Sequence, residues 1–125
     1  AFCRSILQTD GAIRFAGLTT AMGSLLASAY RPGLVPILSP EETARYAVST
    51  AMRAATRDDF ESKLGQAAYV LARYPKLVRA TITIGHQEKK HLLMLSFDPD
   101  SDFIDVLESK VVPFLKQNKG VLEQD

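Results

Sequence analysis

The chain has 125 residues, 46% hydrophobic and 23% charged, which suits one folded domain and excludes the low-hydropathy, high-charge profile of disorder. Fifteen basic residues against fourteen acidic ones give a net charge of +1 with no long block of either sign, which argues against general affinity for nucleic acid or anionic membrane. The single cysteine, Cys3, excludes an intramolecular disulfide, and no apolar run approaches the roughly 20 residues of a membrane span, so a cytoplasmic setting is expected.

Phe2, Cys3, Ile6 and Leu7, spaced by three and four, predict the last turns of a first helix, stopped at Asp10-Gly11, where glycine is free to take a left-handed cap. Because this helical pattern is already under way at Ala1, an upstream segment is expected. Two short apolar runs, Ile13 to Leu18 and Leu25 to Tyr30, predict a β-hairpin whose loop contains Gly23. The Arg31-Pro32-Gly33-Leu34-Val35-Pro36 segment can extend neither strand nor helix.

Ser39-Pro40-Glu41-Glu42 is a capping box, with Ser39 as N-cap and Pro40 in the first helical position. The helix it starts should run to about Arg57, with Ala44, Ala47, Val48, Ala51, Met52 and Ala55 as an apolar face of mostly small residues. A further turn over Phe60 to Leu64 is expected before Gly65.

A meander of three strands follows: Ala67 to Tyr74, Val78 to Ile84 and His91 to Phe97. In the middle one Val78, Ala80, Ile82 and Ile84 alternate with Arg79, Thr81 and Thr83, so one face should be buried and the other at least partly wet. The last is apolar on both faces and belongs at the centre of the sheet. Phe103, Ile104, Val106, Leu107, Val111, Phe114 and Leu115 mark a closing helix that Pro113 should kink or shorten, and residues from about 117 to 125 are expected to be a flexible tail.

Catalytic and metal chemistry finds no foothold in these residues. Asp98, Asp100 and Asp102 have the spacing that opens a calcium loop, but Phe103 stands where glycine is needed and Ser109 where a bidentate Glu is needed, so caps for the closing helix are the favoured reading. His86 and His91 flank the turn Gln87-Glu88-Lys89-Lys90, yet two ligands do not complete a zinc site. Cys3 lies on an apolar stripe without a base partner, and phosphate loops, nucleophile elbows and dinucleotide fingerprints are missing. Arg53 and Arg57, one turn apart, read as a solvated helix face beside Asp58 and Asp59. No catalytic residue, cofactor or metal is expected.

One feature carries a functional hint. The run Ala67-Ala68-Tyr69-Val70-Leu71-Ala72 has no charge before Arg73 and would lie on the outside of the meander, where exposed edges are normally blunted. A second copy of the chain covering it is the simplest expectation, the alternative being a loop or N-terminal segment of the same chain.

The element order, together with Ala16-Gly17-Leu18 and the run Met22-Gly23-Ser24-Leu25-Leu26-Ala27-Ser28, resembles the roadblock/LC7 group within the profilin-like architecture. The stretches Ile13 to Gly17, Tyr30 to Leu34 and Leu93 to Asp98 are also similar to an uncharacterised archaeal family with such a fold. The resemblance covers residues 1 to 116 as one domain, and the proline-rich loop departs from it. It implies an α+β fold with a five-stranded antiparallel sheet in the order 2-1-5-4-3 and helices on its faces. It also implies a non-enzymatic dimerising module that scaffolds or regulates a partner such as a small GTPase. By the same resemblance the helix 40–57 and the strand 67–74 would form a homodimer surface, with Ala44, Val48, Ala51, Ala55, Tyr69, Val70 and Leu71 as its candidate residues. The alternative from a different class is a PAS-like small-molecule sensor, since a curved antiparallel sheet can enclose a ligand against its helices.

Overall fold

The most apolar strand sits at the centre, and the rest of the molecule follows from covering its two faces. In the computed structural model, which describes residues 1–85 and 89–118, β5 (His91–Phe97) pairs antiparallel with β1 (Ile13–Thr20) on one side and β4 (Val78–Ile84) on the other. The outer strands are β2 (Leu25–Tyr30) beside β1 and β3 (Val70–Arg73) beside β4, so the five strands run in the order β2-β1-β5-β4-β3. Among the described residues, neither outer strand has a neighbour on its far side.

One face packs on α1 (Phe2–Leu7) and on a closing helix built from α4 (Phe103–Val106), a π-helical turn (Leu107–Val111) and α5 (Val112–Gln117). The main core lies here. Ala16, Leu18, Val78, Ala80, Leu93, Leu95 and Phe97 from the sheet meet Cys3, Ile6, Val106, Leu107 and Val111. Across the other face runs α2 (Pro40–Asp58), which seats Ala47 on Phe15 and Met94, and Ala51 and Ala54 on Leu92. Small helix residues let the backbone lie close to bulky strand residues.

α2 begins at the expected capping box: Ser39 Oγ accepts from the Glu42 N–H, and a Glu42 carboxylate oxygen accepts from the Ser39 N–H at 2.9 Å. At its far end the short α3 (Glu61–Leu64) stops at Gly65, with φ +82. Lys90 Nζ lies 3.2 Å from an Asp58 carboxylate oxygen and 3.0 Å from one of Glu61, tying this corner to the start of β5. No helix among the described residues is long and apolar enough to cross a membrane.

Several expectations need correction. The first helix ends at Gln8 in an ordinary right-handed conformation, and Gly11 is not among the glycines with positive φ. β1 extends two residues further, to Thr20, because both Thr19 and Thr20 still pair with β5. β3 is only four residues long instead of eight; the chain bends at Ala68, and alanines contribute little to a strand ladder, so pairing starts at Val70. The closing helix continues past Pro113 to Gln117, so the proline does not end it there; a π-helical turn, Leu107–Val111, precedes α5, and Pro113 stands in the first turn of α5, where a missing N–H costs least. Gln117 is the last helical residue, and the rest of the expected tail lies outside the described residues from 119 onward, as does His86 of the histidine pair.

Candidate functional site

β3 and the flank of α2 that faces it enclose a groove of about 250 Å³, lined in part by Ala54, Phe60, Leu64, Val70, Thr81 and Thr83. Phe60 and Leu64 are large apolar side chains left 59% and 83% exposed beside the uncharged edge. Val70 points into this groove. Its neighbours Tyr69 and Leu71 pack on the opposite face, against the core beneath the closing helix, and the Tyr69 hydroxyl donates to Glu108 at 2.6 Å.

The helical half of the expected interface separates from the strand half. Ala44, Val48 and Ala55 are exposed along one flank of α2, with Met52 beside them at 68% exposure. That flank faces the β1–β2 turn, where Gly23 touches the Val48 backbone, and not β3. Ala51 is buried against Leu92 and cannot touch a second copy, because its helix position points down onto the sheet. The exposed helix residues Ala44, Val48 and Ala55 and the strand residue Val70 thus lie on opposite flanks of α2, and Tyr69 and Leu71 lie on the other face of the sheet.

The β3-facing flank carries Tyr46, Arg53 and Arg57 instead. Arg53 is exposed, as expected of a solvated face, and its guanidinium donates to Ser49 Oγ at 2.8 Å and lies 5.8 Å from the centre of the Tyr46 ring. Tyr46 and Tyr74, from α2 and the β3–β4 turn, place their hydroxyls 3.2 Å apart. Burial first, and then this contact, pushes the Tyr46 phenol up to about 12.

Arg79 is the residue that sequence reading placed wrongly. Expected on a partly wet strand face, it is only 8% exposed, lying under α2 with its guanidinium 4.6 Å from the centre of the Tyr46 ring and 5.5 Å from that of Phe15. Burial lowers its pKa from the ordinary arginine value, opposed by the three neighbouring tyrosines 46, 30 and 74. Thr81 and Thr83 on the same face are half-buried, so the partly wet face holds for them and Arg79 alone is covered, by α2.

Two of the three aspartates of the calcium-like spacing are committed elsewhere. Asp98 accepts two hydrogen bonds from Arg31, at 2.8 and 3.1 Å, and one from Arg14 at 3.2 Å, while Asp102 caps α4. Among the described residues no three His, Cys, Asp or Glu side chains are grouped so as to hold a metal ion.

The strand order, the long helix on one face and the split closing helix on the other can be compared with known proteins. No family model matches the chain, and no curated protein matches it. Solved structures do. Myxococcus xanthus MglB superimposes with a TM-score of 0.74 at 15% identity, over 98% of this chain and 93% of that one. The fold is the roadblock/LC7 fold. A roadblock/LC7 domain from Streptomyces avermitilis gives a TM-score of 0.72 at 14% identity, covering 97% of this chain and 94% of its own. The gliding protein MglB from Thermus thermophilus gives 0.69 at 21% identity, covering 98% and 83%. At such identities the likeness to roadblock/LC7 structures concerns the fold.

Proposed function

We propose that this chain is a non-enzymatic interaction or regulatory module that works as a homodimer through the outer edge of β3. The observation that carries the reading is the edge itself: β3 is uncharged from Val70 to Ala72, with Arg73 at its end, unpaired among the described residues, and flanked by exposed Phe60 and Leu64. A second β3 brought alongside would satisfy the open backbone groups of both copies, as an isologous contact requires. The groove and the exposed Phe60 and Leu64 replace Ala44, Val48 and Ala55 as the part of the helix layer adjoining that contact. A similar structure is described as MglB with tetrameric arrangement, which supports self-association in this fold. A small GTPase is the partner class that the roadblock resemblance suggests.

Val70→Lys places a charge in the groove beside the edge and should raise the dimer dissociation constant at least about tenfold while the circular dichroism spectrum stays unchanged. Sedimentation equilibrium of both proteins reads this directly. An unchanged constant removes β3 from the interface, and a wild-type chain that is monomeric at every concentration removes the dimer. For the partner class, the purified dimer should retain a GTPase from its native cell in a nucleotide-dependent way, and retention of none would count against it.

A further inference from the structure

The hydrogen bonds inside the sheet decide which backbone groups of β3 are open. In the β3–β4 turn the Tyr74 N–H donates to the Leu77 carbonyl at 2.9 Å, and beyond it Arg73 pairs with Val78, Ala72 with Arg79, Leu71 with Ala80 and Val70 with Thr81. Bonded and non-bonded pairs alternate along an antiparallel ladder. Ala72 and Val70 therefore turn their N–H and C=O inward to β4, while Arg73 and Leu71 turn theirs out to the free edge. Tyr69, just before the strand, continues the alternation, since its side chain packs on the same core as that of Leu71.

Arg73 stands on that same face of the sheet. Its side chain is exposed and forms no ion pair among the described residues. On the closing helix over this face, Glu108 is also exposed, and its one contact is the hydrogen bond it accepts from the Tyr69 hydroxyl at 2.6 Å. A cation at the edge and a carboxylate near it are thus both left open.

An isologous pair puts one residue of β3 on the two-fold axis. Arg73 on the axis would set two guanidinium groups opposite each other and Leu71 against Pro75, which has no N–H. Ala72 there would set Tyr69 against Pro75. Val70 there would set Arg73 against Ala67, past the bend at Ala68. Leu71 on the axis avoids all three, because Leu71 exchanges both its bonds with its own copy and Arg73 exchanges both with Tyr69 of the other.

We infer that two copies meet in this register, with Leu71 on the axis and Arg73 of one copy beside the Tyr69 ring of the other, facing the Glu108 carboxylate. The inference rests on the β3 dimer proposed above and adds the feature that selects the partner. The axis repeats the Arg73 and Glu108 contact on both sides of the seam, so a second copy of this chain satisfies it twice, and a chain of the same fold without both charges does not.

Four single-cysteine variants, Val70→Cys, Leu71→Cys, Ala72→Cys and Arg73→Cys, read the register, with the buried Cys3 of the wild type as background. A residue on the axis meets its own copy with Cα atoms about 4.5–5.5 Å apart, and residues off the axis lie beyond the span of roughly 7 Å that a disulfide bridges. After mild oxidation, Leu71→Cys should give a covalent dimer on non-reducing gels, and the other three at least about tenfold less. Arg73→Glu, which leaves the core untouched, should raise the dimer dissociation constant about tenfold at low salt, and Glu108→Arg in the same chain should restore most of the loss. Four results overturn the register while the dimer stands: a cross-link through Val70, Ala72 or Arg73 instead of Leu71, none in variants that still sediment as dimers, wild-type dimerisation of Arg73→Glu, or a charge swap that restores nothing. A monomeric wild type, or a dimer that Val70→Lys leaves unchanged, overturns the β3 contact itself and the register with it.

Discussion

Asp98 joins three parts of the chain that are far apart in sequence. Its carboxylate receives Arg31 from the Pro-rich loop and Arg14 from β1, and its own N–H donates to Ala12, so one residue at the end of β5 fixes the start of the hairpin and the exit from it. The hydrogen bond from Arg31, more than any other influence, holds its pKa below the ordinary carboxylate value. Its stabilising contribution is therefore complete above about pH 4 and is lost as the pH falls through the lower folded value. Asp98→Asn should cost about 1–2 kcal/mol at neutral pH and flatten the acid limb of the stability curve, as read by denaturant titrations from pH 6 to pH 2. An acid limb as steep as that of the wild type would assign it to other carboxylates. Gly23 is constrained in a different way: φ is +89, and an added Cβ would lie 2.7 Å from the Val48 Cα, a backbone atom that cannot step aside. Gly23→Ala should destabilise the fold by about 2–4 kcal/mol, measured by urea unfolding. Sequence reading identified Gly23 as a turn residue, but its contact with α2 belongs to tertiary structure. Arg79 was unreadable for the same reason, since alternation along a strand says which side a residue faces and not what lies across from it.

At the level of elements, legibility followed the strength of the local chemistry. β2, β4 and β5 have the boundaries that alternation and apolar runs predict, and α2 begins where its capping box says. That box is worth testing alone: Ser39→Ala should cost about 1 kcal/mol of unfolding free energy, while Ser39→Asp should cost little. Equal losses in thermal melts of the two variants would show that the side-chain cap contributes nothing. The elements misread were those decided by neighbours. β3 is shorter than the uncharged run because the chain bends at Ala68 and pairing with β4 starts only at Val70. The face of α2 was misread because small residues occupy both its buried and its exposed sides, and Ala44 and Ala51 differ only in which way the helix is turned.

For the whole molecule, the strand order follows from few facts: a central strand apolar on both faces, a tight hairpin before it, and a meander leading into it. Function was less legible, since the exposed helix candidates and Val70 lie on opposite flanks of α2. The dimer proposed above also has a signature at this scale: the melting temperature of the wild type should rise with protein concentration, and that of Val70→Lys should rise less. The sequence drew attention to β3, but β2, from Leu25 to Tyr30, is an equally uncharged edge and two residues longer. In the terms of polymer chemistry the domain has two open valences. If β3 closes on itself as the proposed pair, a β2 edge is left at each end, and linkage through those ends would add unit to unit without limit, so a bounded assembly requires that β2 stay unpaired.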